Sequence, residues 1–145
     1  MKIRIIVRAV IYNKGNVLLV RNKGENFWYP PGGEWEYKKE KIIEAALREV
    51  KEEVGLKVKI ERFLYLQEFY HKPGLIFFEI FWLAKLLSGK SLNHKHVDLD
   101  PNGQVEIAVW YSKDDLKNLK VFPKRLKTTF WNLRKIKSEN PFMVN

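Results

Sequence analysis

Apolar and other residues alternate along the start of the chain, which is the period of a half-buried β-strand. The alternating apolar positions run from Ile3 to Ile11, and residues 13–15 (Asn-Lys-Gly) favour a tight turn. Val17 to Arg21 predicts the returning strand. The chain is therefore predicted to begin with a β-hairpin.

A helical period follows a loop that contains proline and glycine. Four apolar residues recur at spacings of four, three and four and so share one stripe of a helix: Ile43, Leu47, Val50 and Val54. Gly55 is placed to end this helix, because glycine readily adopts the left-handed conformation found after a helix C-terminus. β-Branched and aromatic residues then dominate Lys57–Tyr70 and Leu75–Leu87, which predict a long hairpin with its turn at residues 71–74.

The last third of the chain predicts one more strand and two helices. The strand is Val105–Tyr111, and Ser112 is placed to cap a short helix that ends at Leu119. An amphipathic basic helix is predicted at about residues 123–138, with an apolar stripe formed by Leu126, Phe130, Leu133 and Ile136. The order of strands, helix, strands and helices predicts a single α+β domain over residues 1–145, with a mixed sheet.

The composition narrows the function classes. The chain has 145 residues, of which 46% are hydrophobic and none is cysteine. A globular protein is therefore expected, without disulfides, thiolate nucleophiles or cysteine-ligated metals, so any metal must use oxygen or imidazole ligands. Arg4 and Arg8 interrupt the apolar start where a signal peptide needs an unbroken apolar run. We expect a cytoplasmic protein that does not enter a membrane.

The charge is strongly positive and unevenly distributed. The net charge is +10, and the last 35 residues hold nine basic and three acidic side chains. A positive surface attracts nucleotides, nucleic acids and anionic lipids alike. The net charge alone does not distinguish among these three classes of partner.

Three glutamates give the first indication of chemistry. Glu49, Glu52 and Glu53 stand at i, i+3 and i+4 and share one helix face, which we expect to lie opposite the apolar stripe. Such clustering alone is typical of a solvated helix surface. However, residues 31–33 (Pro-Gly-Gly) precede the helix and allow close approach of backbone amides to an anion. Because Mg²⁺ and Mn²⁺ prefer carboxylate oxygens and bridge them to phosphates, the combination favours metal-assisted phosphate chemistry.

The same residues resemble the Nudix (MutT-like) box, G-x5-E-x7-R-E-U-x-E-E-x-G-U, where U is bulky and aliphatic. The resemblance covers residues 33–56, and six polar or glycine positions match at the family spacing: Glu40, Arg48, Glu49, Glu52, Glu53 and Gly55. One departure is a loop one residue longer, because six residues separate Gly33 from Glu40 where the family has five. The segment from Trp28 to Gly33 and the strand ending at Trp110 also resemble the family.

The resemblance implies a Nudix-like α/β/α sandwich and a hydrolase. Its members cleave nucleoside diphosphate derivatives, here a nucleotide sugar, ADP-ribose or a nucleoside triphosphate, by water attack on phosphorus with Mg²⁺ or Mn²⁺. Glu52 and Glu53 would be metal ligands, and Glu49 would be a further ligand or the base. Arg48 would orient a carboxylate, most simply Glu52 at i+4.

Other site residues are assigned from their positions. Glu40 would support the loop or the metal site, and Gly32 and Gly33 would bring backbone close to the metal. Glu106, four residues before Trp110, is the candidate for a further metal ligand, with Glu68 and Glu79 as competitors.

Four residues are predicted to contact substrate. Arg21 follows a strand and would reach a phosphate, unless it is a surface residue. The Trp28 ring would stack on a nucleobase, although aromatic residues at such positions more often belong to the core. Lys38 and Lys39, in the longer loop, would place a cation near the distal phosphate.

Two other classes of function compete. The basic C-terminal residues suit an RNA-binding module that has lost catalysis, or an enzyme that acts on RNA 5′ ends; they are Lys124, Arg125, Lys127, Arg134, Lys135 and Lys137. A nucleic-acid partner is not favoured, since no base-reading motif accompanies the charge. Diphosphate isomerases of the same fold usually bring a catalytic cysteine, which this chain lacks. The resemblance also allows a homodimer.

Overall fold

The computed structural model describes residues 1–88, 94–95 and 103–133, and for His94, Lys95 and Leu133 it describes the backbone only. The strands are β1 (Lys2–Asn13), β2 (Asn16–Asn22), β3 (Gly32–Glu34), β4 (Lys57–Lys72), β5 (Leu75–Ser88), β6 (His94–Lys95) and β7 (Val105–Ser112). The helical segments are α1 (Ile42–Val54), two 3₁₀ turns (Asp115–Asn118 and Lys124–Lys127) and α2 (Phe130–Leu133).

The strands of the described residues form one mixed sheet in the order β4-β5-β1-β2-β7-β6. β1 and β5 run parallel, and the other pairs are antiparallel. Both predicted hairpins are confirmed. The first turns at Lys14 and Gly15, whose φ angles of 50° and 82° suit a two-residue turn between right-twisted strands.

The sheet opens between β1 and β2. These two strands pair only beside their turn, at Tyr12–Val17 and Asn13–Asn16, and then diverge. The segment of residues 29–34 enters the gap, because Tyr29 bridges to β2 and β3 pairs with residues 6–8 of β1. The sequence does not predict this short strand, which brings two glycines into the middle of the sheet.

Apolar side chains cover both faces of the sheet. On one face, Val7 of β1 packs with Ala45 of α1. On the other face, Val10 packs with Leu126 and Phe130 of the C-terminal segment. The predicted α+β sandwich is confirmed, and the two covered faces explain why β1 is buried at adjacent positions rather than at alternate ones.

Helix α1 ends as predicted, because Gly55 takes the left-handed conformation (φ 67°) and its N–H donates to the Lys51 carbonyl at 3.0 Å. Its buried face differs from the predicted stripe and consists of Ile42, Ala45, Ala46, Glu49, Val50 and Val54. Leu47 is 37% exposed, which corrects the prediction that it belongs to the buried stripe. The two small alanines let the helix lie close to the sheet, so the contact face turns away from Leu47 and towards Glu49.

The C-terminal segment is not one continuous helix in its described part, which corrects the prediction for residues 123–138. The 3₁₀ turn Lys124–Lys127 ends at Thr128, whose φ and ψ of −133° and −96° are not helical, before α2 begins. Leu126 and Phe130 are nevertheless buried, as the apolar stripe predicted. Residues 134–138 lie outside the described residues.

The predicted short helix after β7 is a single 3₁₀ turn, Asp115–Asn118. Ser112 and Asp115 hold its start reciprocally. The Asp115 N–H donates to Ser112 Oγ at 3.2 Å, and the Ser112 N–H donates to Asp115 Oδ2 at 2.9 Å. Across residues 1–88 and 103–133, no helix has the length and apolarity needed to cross a bilayer.

Candidate active site

A polar cavity of about 460 Å³ lies where α1 packs over the opening in the sheet. Its lining residues are Arg8, Asn22, Tyr29, Gly32, Gly33, Glu34, Glu36, Arg48, Glu49, Glu52, Glu53, Gly103, Gln104 and Val105. This lining holds five carboxylates and two guanidinium groups. The three glutamates of the predicted metal site therefore open into one cavity.

The backbone of β3 contacts two of these glutamates. The Gly32 N–H donates to Glu53 Oε2 at 3.2 Å. A Cβ on Gly33 would overlap the Glu49 carboxylate, so a larger residue there would force that side chain to move. Glu49 is 7% exposed, which corrects the prediction of an exposed carboxylate face. The segment of residues 29–34 fills the opening between β1 and β2. Glu49 and Glu53 lie against the glycines of this segment.

Arg48 uses all five of its N–H donors on protein oxygens. Nε and Nη2 donate to the two oxygens of Glu40 at 2.9 and 2.8 Å. Nη1 donates to Glu49 Oε1 at 2.8 Å and to Glu52 Oε2 at 3.2 Å, and Nη2 also donates to the Glu34 carbonyl at 3.2 Å. The predicted contact with Glu52 is present, but the bidentate partner is Glu40. Arg48 therefore positions carboxylates, and no donor remains for a substrate.

The ion pair between Arg48 and Glu40 shifts both groups. The hydrogen bond from Arg48 lowers the pKa of the Glu40 carboxyl below its ordinary value. The hydrogen bond to Glu40, opposed by desolvation, raises the pKa of Arg48 above its ordinary value. Arg48 is thus held as a cation and Glu40 as an anion.

Glu40 also organises the longer loop. The Glu36 N–H donates to Glu40 Oε1 at 3.2 Å, and Trp35 Nε1 donates to the Glu40 carbonyl at 3.0 Å. Between them, the Lys39 N–H closes a turn on the Glu36 carbonyl at 2.8 Å. This turn lies in the longer loop between β3 and α1, and both glycines of β3 lie against the helix carboxylates. Glu40 itself does not line the cavity.

Arg21, Glu106 and Trp28 do not reach the cavity. Arg21 Nη2 lies 3.5 Å from Glu106 Oε2, and its Cζ lies 5.3 Å from the centre of the Trp28 ring. Adjacent strand residues point to opposite faces of a sheet, so Asn22 lines the cavity while Arg21 points to the other face. The β2–β7 register shifts between Arg21 and Asn22 and skips Glu106, which lies beside Arg21. The structure therefore does not bring Glu106 into this cavity with Glu49, Glu52 and Glu53.

Trp28 belongs to the core. It is 8% exposed and packs edge-on against Tyr111, with ring centroids 5.1 Å apart. The predicted stacking role is therefore corrected, and the competing interpretation as a core residue holds.

The two lysines of the loop lie on the surface beside the cavity. Lys38 and Lys39 are exposed, and Lys39 Nζ lies 3.9 Å from Glu36 Oε2. Glu36 lines the cavity, whereas neither lysine does. Their contact with substrate remains a prediction.

Arg8 lines the cavity, although its sequence position did not assign it to the site. Arg8 lies on β1 with its Cζ 4.8 Å from the centre of the Tyr29 ring. Burial raises the pKa of Tyr29 above its ordinary value, against the opposing effect of Arg8. The sequence feature that could have identified Arg8 is a basic residue within an otherwise apolar strand.

Glu79, a competitor for the metal site, is buried beside Arg8, with Oε1 3.5 Å from Arg8 Nη2. Neither Glu79 nor Glu68 lines the cavity.

The residues present fit a hard divalent cation by their chemistry. Glu49, Glu52 and Glu53 offer carboxylate oxygens in one polar cavity, which are the ligands that Mg²⁺ and Mn²⁺ prefer. In the described part of the chain, no three acidic, histidine or cysteine side chains already converge as a formed ion site. Arg48 holds one carboxylate oxygen each of Glu49 and Glu52.

A carboxylate helix packed over the opening of a mixed sheet, with its acids tied together by one arginine, defines a class of proteins with a Nudix architecture. The NUDIX domain family model matches residues 2–131. The chain belongs to the Nudix family, whose members generally use a divalent metal.

Solved structures share this fold. A MutT NUDIX hydrolase from Burkholderia pseudomallei aligns with a TM-score of 0.70 and 24% identity, over 88% of this chain and 96% of that one. An ADP-ribose pyrophosphatase from Streptococcus suis 89-1591 aligns with a TM-score of 0.68 and 22% identity, over 93% and 94%. A UDP-X diphosphatase aligns with a TM-score of 0.65 and 24% identity over 92% of this chain, which spans 61% of that protein's length. Comparison with curated protein sequences finds no match.

Proposed function

We propose that this protein hydrolyses a diphosphate linkage in a nucleoside diphosphate derivative, such as a nucleotide sugar, ADP-ribose or a nucleoside triphosphate. The observation that carries the proposal is the placement of Glu49, Glu52 and Glu53 on one side of a polar cavity, against the backbone of β3. The names of the UDP-X diphosphatase and the ADP-ribose pyrophosphatase support substrates of this class.

In this proposal, Glu49, Glu52 and Glu53 hold Mg²⁺ or Mn²⁺. The bound cation would neutralise charge on the diphosphate and make its water more acidic. Arg48 keeps two of the carboxylates at a fixed spacing, and the Gly32 N–H holds the third. Glu49, buried beside the sheet opening, serves as a further ligand or takes the proton from the attacking water.

The proposal also assigns the loop lysines. The contact of Lys39 with Glu36 puts one ammonium group beside a residue that lines the cavity, where a distal phosphate would emerge, and Lys38 is the neighbouring exposed cation. A cation there reduces the repulsion between an anionic substrate and the acidic lining. A cytoplasmic location and a homodimer remain predictions from the sequence.

The test measures phosphate or nucleotide release from a panel of nucleoside diphosphate derivatives with Mg²⁺. We expect hydrolysis of at least one compound, and a fall of about 10²-fold or more in Glu53→Gln, which removes the charge and retains an acceptor for Gly32. Glu44→Gln is the matched control, because Glu44 lies on the same helix, accepts the Lys41 N–H at 2.8 Å and does not line the cavity. Equal activity in native protein and Glu53→Gln would refute the proposal.

The hydrolysis panel, taken together with a measurement of RNA binding, also tests the competing RNA hypothesis. Among the basic C-terminal residues, Lys127 is committed to the fold, because Nζ donates to the Lys117 and Leu119 carbonyls at 3.1 and 2.8 Å. Lys124 and Arg125 are exposed, and the remaining three basic residues lie outside the described residues. RNA binding that falls steeply with salt, without hydrolysis of any nucleotide or RNA 5′ end, would replace the enzyme by a binding module.

A further inference from the structure

Arg8 is a mostly buried cation in the wall of the cavity. Its side chain is 16% exposed, and Nη1 donates to the Pro30 carbonyl at 3.1 Å. Nη2 lies 3.5 Å from Glu79 Oε1, and the guanidinium group lies over the Tyr29 ring. Arg8 is therefore held on three sides, with the cavity on the fourth.

The two arginines that line the cavity differ in how many of their N–H donors are already hydrogen-bonded to protein oxygens. Arg48 has no N–H left for a ligand, since all five contact protein oxygens. Within the described residues, two N–H donors of Arg8 are hydrogen-bonded to protein oxygens, those of Pro30 and Glu79. The described lining contains no other lysine or arginine, while it contains five carboxylates. An anionic ligand in this cavity thus meets one arginine with donors to spare.

We propose that Arg8 binds a phosphate group of the substrate, and that Glu79 is the positioning residue that aims Arg8 into the cavity. This inference rests on the proposed function. A guanidinium group suits the task because its donors match phosphate oxygens in a bidentate geometry. Its partial burial also strengthens the contact relative to one in open water.

Glu79 is placed for this role by the sheet. β5 runs parallel to β1, with Ile6 opposite Glu79 and Arg8 opposite Phe81, so Arg8 and Glu79 point from neighbouring strands to the same face. Glu79 is 8% exposed, and Gln67 Nε2 of β4 donates to its second carboxylate oxygen at 3.1 Å. A fixed polar chain therefore crosses three strands and ends at the Arg8 guanidinium group.

The first test measures binding of the methylene analogue of ADP, whose bridging carbon resists hydrolysis, by isothermal titration calorimetry with Mg²⁺ present. Arg8→Gln should weaken binding about ten- to a hundredfold, the loss expected for a charge-assisted hydrogen bond. Arg8→Lys should weaken it less. Arg4→Gln is the matched control, because Arg4 is an exposed arginine on the same strand that does not line the cavity. Mg²⁺ titrated alone should bind Arg8→Gln at least as tightly as native protein.

The second test separates positioning from a structural role. Glu79→Gln should weaken binding of the analogue and raise KM more than it lowers kcat. In the Arg8→Gln background the same change should add nothing, because Glu79 acts through Arg8. The double variant also leaves no unpaired buried carboxylate, so its fold is protected where that of Arg8→Gln is at risk.

The outcomes separate this inference from the proposed function. Native affinity for the analogue in folded Arg8→Gln overturns the role of Arg8, even where hydrolysis depends on Glu53. Additive losses in the double variant overturn the positioning role of Glu79. If no panel compound is hydrolysed, the proposed function fails, whereas affinity for the analogue that depends on Arg8 still supports the phosphate site.

Discussion

The two glycines of β3 meet different obstacles, and alanine at each should have a different effect. A Cβ on Gly32 would overlap the Val7 carbonyl and lie 2.8 Å from Arg8 Cα, both of which are backbone atoms of β1. These atoms move only if β3 separates from β1. A Cβ on Gly33 would instead meet the carboxylate of Glu49, the far end of a side chain, at 2.5 Å from Oε1 and Oε2.

The magnitudes follow from what must move. Gly32→Ala should cost about 1–3 kcal/mol in unfolding free energy through overpacking, beyond a gain of about 0.4–1 kcal/mol from a stiffer unfolded chain. Gly33→Ala should cost only about 1 kcal/mol, because Glu49 turns and loses one hydrogen bond from Arg48. The displaced carboxylate should nevertheless lower the Mg²⁺-dependent rate by about 10²-fold, as misplacement by about 1 Å does elsewhere.

Urea denaturation of both variants gives their unfolding free energies, and the dependence of this free energy on urea concentration is compared between them. Hydrolysis of the best panel compound gives the rates. Gly33→Ala is expected to be the more stable of the two and almost inactive. Native activity and native Mg²⁺ affinity in Gly33→Ala would refute the contact between this backbone and Glu49. Native stability in Gly32→Ala would refute the tight pairing of β3 with β1.

Three further predictions concern the network and the loop. Arg48→Lys should lower kcat at least about tenfold and the unfolding free energy by roughly 1–3 kcal/mol, because one ammonium group cannot span Glu40 and Glu49; native kinetics would contradict this. The depressed pKa of Glu40 means that its stabilisation is full above the unfolded pKa of about 4.3 and disappears as pH falls through the folded pKa. Urea titrations at several pH values should therefore show the stability gap between native protein and Glu40→Gln closing as the pH falls below the unfolded pKa, and a constant gap would refute the assignment. Replacing both Lys38 and Lys39 by alanine should raise KM with kcat unchanged, and a KM insensitive to this change at low salt would end their proposed role.

The parts of the fold that depend on local pattern were predictable. The strands of both hairpins, α1 and its end at Gly55 follow from periodicity and one special glycine, each visible within a short window. The shared face of Glu49, Glu52 and Glu53 follows equally from the helical repeat. These features require no knowledge of which elements pack together.

The rest depends on pairing between distant residues. The opening between β1 and β2 brings β3 to the helix, and nothing in the three residues Gly32–Glu34 predicts a strand. One register shift beside Arg21 sends Glu106 away from the cavity. Leu47 looks apolar enough to be buried, yet small alanines decide which face of the helix meets the sheet.

The charge of the cavity leads to one more prediction, on metal removal. Five carboxylates line it, and Arg48 is engaged by Glu40, Glu49 and Glu52, so an entering diphosphate faces excess negative charge that Arg8 alone does not balance. Under the proposed function, we therefore expect a divalent cation to contribute to substrate affinity as well as to the chemical step. We expect EDTA to weaken binding of the methylene analogue of ADP by at least about tenfold in native protein, and by clearly less in Glu53→Gln, where one ligand charge is already gone. Equal affinity with and without Mg²⁺ in native protein would refute this contribution of the cation to substrate binding.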